Sequence, residues 1–238
     1  MNPMLEYKKL KRTALLPALI LGGLLAAALP VVDLLVRADY IINPAISPLE
    51  NLMHTDGMLI VMLDCFLIVL GACIVYYVEF ADNAIQRINT LPVRSWSVFM
   101  SKFIFLAVAF AVVYAIEGTS LYFCAWKWFA PESGLMLSVV RLTARLYLFS
   151  LPVLSLMLVV SSFCKNMWIT LGIGVAGVFA ALLLQRVEGL QYFPFLMPYQ
   201  KPLGDTATNI LLCIAAATQT VLYLGAGTIL ARVRRNIA

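Results

Sequence analysis

Six separate apolar runs, each long enough to cross a bilayer, constrain this chain more than anything else in it. A crossing helix needs about 20 predominantly apolar residues. Such runs are read at Ala14 to Val36, Met58 to Val78, Phe103 to Ala125, a fourth ending at Phe163, Met167 to Leu184 and Ala207 to Leu230. Hydrocarbon offers backbone amides no partner, so only helices or closed barrels can span it, and apolar runs of about 18 residues or more exclude the barrel. The expectation is an all-α integral membrane protein with six crossings. Of its 238 residues, 63% are apolar and 12% charged, against roughly 45–50% and 25% in soluble domains. Water is not the solvent for which this composition is suited.

No polar stretch approaches the roughly 50 residues that the smallest domains need, so residues 1–238 read as one transmembrane domain without an ATP-binding or catalytic module. With the N-terminus inside, eleven of the 17 Lys and Arg residues fall on the cytoplasmic side, and the positive-inside rule then puts both termini there. The net charge of +5 is scattered over helix ends, where it suits anionic headgroups, and it forms no basic stripe for nucleic acid. Cys65, Cys73, Cys124, Cys164 and Cys213 lie in or beside apolar runs, without metal-ligand spacing or access to an oxidant. Pro17, Pro30 and Pro152 each remove a helical hydrogen bond and are expected to bend their helices. The start of the chain reads as a retained first helix rather than a cleaved signal peptide.

Between the second and third crossings lies the polar segment 79–102. Ala81, Ile85, Ile88 and Leu91 recur at helical spacing, while Asp82, Asn83, Gln86, Arg87 and Asn89 face elsewhere, the pattern of an amphipathic surface helix. Pro92 ends it, Ser95 can cap the next helix and Lys102 is expected to snorkel toward the headgroups. Two readings stay open on these residues: a passive interfacial helix, or a lever gripped by a soluble partner.

A second segment, 185–206, contains the mostly apolar decamer Leu190 to Tyr199, too short to span and broken by prolines. It is expected in the outer interface or re-entering it, with Tyr192, Phe193, Phe195 and Tyr199 as aromatic anchors or as an outer gate. Ionisable residues inside apolar runs need partners or water, because each costs at least about 2.5–3.5 kcal/mol near a bilayer centre. Asp64 and Glu117 fall in the outer half of their helices, and Arg141 and Arg145 one turn apart on the fourth. Carboxylate-to-guanidinium pairing inside the bundle is the first expectation, contact with a cationic peptide the second and a proton relay the third.

Other signals are declined. Gly172 to Gly177 matches the dinucleotide fingerprint, but that motif works as a strand-to-helix turn and here it lies inside a crossing. Gly172, Ala176 and Ala180 read instead as a small face for close helix packing. An intramembrane enzyme would want several ligands or a base, and the chain offers His54 alone. An ion-coupled carrier would bury its charges near the midplane of paired repeats, and no repeat is visible.

Four features together resemble the type-2 ABC exporter permeases, and among them the small permeases of lantibiotic-protection transporters. They are the N-terminal stretch Leu5-Glu6-Tyr7-Lys8-Lys9-Leu10-Lys11-Arg12, and Glu79 followed by Asn89-Thr90-Leu91-Pro92-Val93-Arg94 with Lys102 beyond. The minimal turn Lys165-Asn166 and the aromatic outer segment complete the set. The resemblance implies that segment 79–102 is a coupling helix docking into the ATPase through Glu79, Asp82, Asn83, Arg87, Leu91, Pro92 and Arg94. Lys165 and Asn166 would give a smaller second contact, and residues 1–13 would lie along the membrane. It further implies two permeases, alike or homologous, with two ATPase subunits that carry ATP and magnesium, this chain binding no cofactor. An antimicrobial peptide would be the cargo, in a bacterial cytoplasmic membrane.

Overall fold

The computed structural model of the protein describes residues 13–43, 45–81, 95–129, 134–164, 166–185, 187, 189–200 and 206–237. Its elements are α1 (Leu15–Ile41), the short α2 (Pro48–Thr55), α3 (Gly57–Ala81), α4 (Ser95–Trp128), α5 (Leu135–Phe163) and α6 (Met167–Leu184). Two 3-10 turns (Leu190–Tyr192 and Pro194–Tyr199) and α7 (Thr206–Ile237) complete the chain. All six helices other than α2 are long and apolar enough to cross a membrane, as the apolar runs require. The even number of crossings leaves the start of α1 and the end of α7 on the same side.

Helix α5 is the centre of the bundle, packed on α3, α4, α6 and α7 and on the second 3-10 turn, while α1 packs across α3 and α4. Burial follows this order: 61% of the most apolar stretch of α3 and 56% of that of α5 are inside the bundle, against 22% for α6 and for α7. The outer faces carry Leu21, Leu25, Val36, Val108, Ile169, Leu183, Val221 and Leu222 in the open, the surface that lipid tails cover at no cost. Helices α3 and α4, although consecutive, touch each other only sparingly.

Two expectations change, and one element is added. Pro17 stands in the first turn of α1, where its missing N–H is an orphan in any case, so it has nothing to break. Helix α1 continues through Pro30, and its departure from helical geometry lies instead at Arg37, with φ −135°. The loop between the first two crossings contains α2, with Pro48 at its first position and the Ser47 hydroxyl accepting from the Glu50 amide at 3.4 Å; this is half of a capping box.

The small face on α6 also differs from its reading. Nothing lies within contact distance of a Cβ added at Gly172, and Ala176 is exposed. Close approach occurs one face over, where a Cβ on Gly174 would run into Val69 of α3 and one on Gly177 into the ring of Phe195. Spacing of small residues therefore identified the right helix and the wrong stripe, because several small residues on α6 offer more than one such stripe.

Candidate functional site

On the side expected to be cytoplasmic, the inner ends of α3 and α4 flank the connection expected to meet a partner, and a buried ion pair joins them. Lys102 Nζ lies 2.8 Å from Glu79 Oε1, donates to the Val75 carbonyl at 3.3 Å and sits 4.9 Å over the Tyr76 ring. Lys102 is only 1% exposed and Glu79 5%. The lysine read as snorkelling outward thus turns inward, because a carboxylate, a carbonyl and an aromatic face together replace its water shell. Glu79, read as part of a docking surface, has its side chain inside the bundle. The remaining residues of that surface, Asp82, Asn83, Arg87, Leu91, Pro92 and Arg94, and Lys165 in the other turn, lie outside the described residues.

Asn166 is described and has a structural task. Its side chain accepts from the Trp168 amide at 2.9 Å and so caps α6, satisfying one of the orphan donors of a helix start. It opens with Tyr77, Met167 and Trp168 onto a surface recess.

A different arrangement occupies the outer half. Asp64 of α3 is 1% exposed and Glu117 of α4 3%. The polar side chains beside Asp64 are Glu117 and Tyr114. No hydrogen bond reaches any of the four carboxylate oxygens. Neither arginine of α5 answers them: Arg141 is exposed, and Arg145 lies half-buried with its guanidinium 5.1 Å over the Phe149 ring. The expected carboxylate-to-guanidinium pairs are therefore absent. Arg145 is directed along α5 toward the α7 side, whereas Asp64 and Glu117 face each other across the α3–α4 seam. The structure brings together Asp64, Glu117 and, unforeseen, Tyr114, which sits one turn before Glu117 on the same helix.

The segment after α6 returns into this region. Pro194, Phe195, Leu196, Met197 and Pro198 are buried, Tyr192 and Tyr199 partly so, and Phe193 exposed. Gln219 of α7 donates to the Tyr192 carbonyl at 2.6 Å, and Tyr199 approaches Cys65 and Asp64. Of the four aromatic residues, Phe195 is a core residue and Phe193 stands at the surface. The segment is thus seated in the bundle rather than lying on it.

A family model described as ABC-2 family transporter protein matches residues 4–181. The chain belongs to this family. Its matched part ends within α6, so the seated segment and α7 lie beyond it. No curated protein and no solved structure matches the chain. An ABC-2 chain is the membrane subunit of an ABC transporter, multi-pass and partnered with an ATPase, and not itself an enzyme; hydrolysis of ATP belongs to a domain other than these 238 residues.

Two further features belong to the outer half of this ABC-2 subunit. A cavity of about 470 Å³ opens between α4 and α5, walled by Tyr114, Gly118, Tyr122, Val139, Thr143 and Tyr147; Tyr114 stands between it and the acid pair. At the outer rim, Asp33 is ion-paired with Arg37, and both lie near Asp56 in the turn that opens α3. Asp56 is buried with one oxygen unpartnered. Desolvation, together with the charge of Asp33, pushes its carboxyl up to about 6. Asp56 falls between the first two apolar runs, where a charge draws no attention.

Proposed function

We propose that this chain is the permease of an ATP-driven exporter that removes an amphipathic antimicrobial peptide, lantibiotic-like, from a bacterial cytoplasmic membrane. Two such permeases, identical or homologous, work with two ATPase subunits that hold ATP and magnesium. Both termini and segment 79–102 face the cytoplasm. Closure of the ATPases moves the stretch from Asp82 to Arg94, Lys165 and Asn166 take a smaller contact, and the bundle rearranges to release cargo outward.

The observation that carries this reading beyond the family is the Glu79–Lys102 ion pair. It ties the two ends of the connection into one rigid base, so force applied between residues 82 and 94 is delivered to α3 and α4 together instead of being lost in relative sliding. A passive interfacial helix needs no such base. The exposed apolar faces support a cargo already dissolved in lipid, since the subunit presents hydrocarbon rather than an aqueous vestibule to its surroundings.

Co-purification with its ATPase partner is expected to yield a complex with ATPase activity. Reversing charge with Asp82→Lys and Arg87→Glu is expected to leave insertion intact and abolish peptide resistance; full resistance in the double variant removes the coupling role. Protease mapping that puts segment 82–94 outside the cell overturns the topology. An active complex that fails to clear a fluorescent cationic peptide from vesicles overturns the choice of cargo and leaves the permease reading standing.

A further inference from the structure

Two carboxylic side chains from different helices, both more than nine-tenths buried, face each other with every oxygen unpartnered: Asp64 at 1% exposure and Glu117 at 3%. Bare carboxylates cannot both hold a negative charge side by side in a low-dielectric interior, because desolvation and mutual repulsion act in the same direction. A cation would resolve this, but among the described residues none reaches them. Lys127 lies over the Trp128 and Phe123 rings, Lys102 is held by Glu79, Arg37 by Asp33, and Arg145 stacks on Phe149.

We propose that Asp64 and Glu117 form a proton-binding site, in which one proton taken from water is held between the two carboxyl groups and fastens α3 to α4. One acid is then neutral and donates its O–H to the other, which carries the single negative charge. This is the charge-assisted hydrogen bond that the geometry lacks when both are written as anions. The titration belongs to the pair rather than to either residue. The titratable groups that face it are Tyr114 of α4, Cys65 of α3 and Tyr199 of the seated segment. Helix α5 offers the hydroxyl of Ser150 to Tyr114, α6 has no titratable side chain, and the acids of α1 lie at the outer rim with Arg37 and Asp56.

The site gains its meaning from where it sits. Because α3 and α4 otherwise touch only sparingly, chiefly where Gly71 meets Leu106 and Phe110, the proton is one of two polar links between them among the described residues. Loss of the proton leaves a buried dianion that is relieved only by parting the helices and admitting water. Proton release and separation of α3 from α4 are therefore one event. The inference concerns the outer half of the bundle and stands whether or not the peptide-export reading does.

Infrared spectroscopy of the full chain in lipid nanodiscs, in an Asp56→Asn background and at about pH 8, tests it directly. The expected result is a carbonyl band of a protonated carboxylic acid that is absent from the added Asp64→Asn/Glu117→Gln double variant. In the unsubstituted pair, carboxyl-13C aspartate or glutamate is expected to shift that band, which keeps the test valid if the double variant folds poorly. No such band, or a band that persists in a folded double variant or ignores both labels, overturns the proposal.

Discussion

Among the described residues two polar links join α3 to α4, one at the inner end and one in the outer half, and they have opposite chemistry. The inner link carries both of its charges within the protein: a lysine lies against a glutamate, a carbonyl and an aromatic face. The outer link consists of two like groups and is complete only with a proton from outside. Burial is nearly equal at both, so depth does not distinguish them; the difference lies in whether the missing charge is covalently part of the chain. A link that brings its own counter-charge is permanent, whereas one that borrows it can be opened. On the proposed export reading, that difference suits a helix pair whose inner end transmits motion and whose outer end yields to it.

The sharpest way to break the comparison is to delete the inner counter-charge. Lys102→Met leaves Glu79 buried without its cation and is expected to lower stability by about 3–5 kcal/mol, measured by thermal unfolding of the purified subunit. Adding Glu79→Leu is expected to recover most of that loss, since an apolar pair of similar volume can replace a buried ion pair. Smaller effects follow from disturbing the floor on which the inner link rests. A Cβ at Gly227 of α7 would run into the ring of Phe99, three residues from Lys102, so Gly227→Val is expected to cost about 1–3 kcal/mol through overpacking. A comparable change at Gly172, which faces open space, is expected to be near neutral in the isolated subunit.

At the outer rim, Asp56 provides a buried counterpart that lies outside the crossings. Its folded-state value of about 6 exceeds the ordinary 3.8, so the folded protein binds the proton more tightly than the unfolded chain. Stability contributed by the neutral form is fully present below about 4 and is lost as pH rises through about 6. Asp56→Asn is expected to flatten that part of a melting-temperature profile and to raise the plateau above it. A similarly small effect is expected at the outer link itself. Glu117→Gln keeps a hydrogen-bond donor of the same shape beside Asp64 and is expected to change stability by less than about 1 kcal/mol, in contrast to Lys102→Met at similar burial.

The six crossings were legible because apolar length is a property of the chain itself, independent of what packs against it. Helix ends were less so. The sequence reading began the third crossing at Phe103, eight residues after the observed start of α4, because Lys102 looked like a headgroup residue. Only a partner on another helix makes its burial possible. The acid pair was half legible: Asp64 and Glu117 stood out as intramembrane charges, yet their expected arginines turned toward other neighbours, which no spacing on one helix could reveal. Helix α2 is absent from the sequence analysis although Ser47, Pro48 and Glu50 carry its start signal, since eight residues between two crossings are too short to register as an apolar run.

The short segment from Pro194 to Pro198 has a consequence for how the molecule comes together. Too brief to hide itself, it takes its walls from α3, α5 and α6, which precede it, and from α7, which follows. It can therefore be seated only once those helices have gathered, and it acts afterwards as a keystone at the outer mouth: loosening it slackens helices far apart along the chain at once.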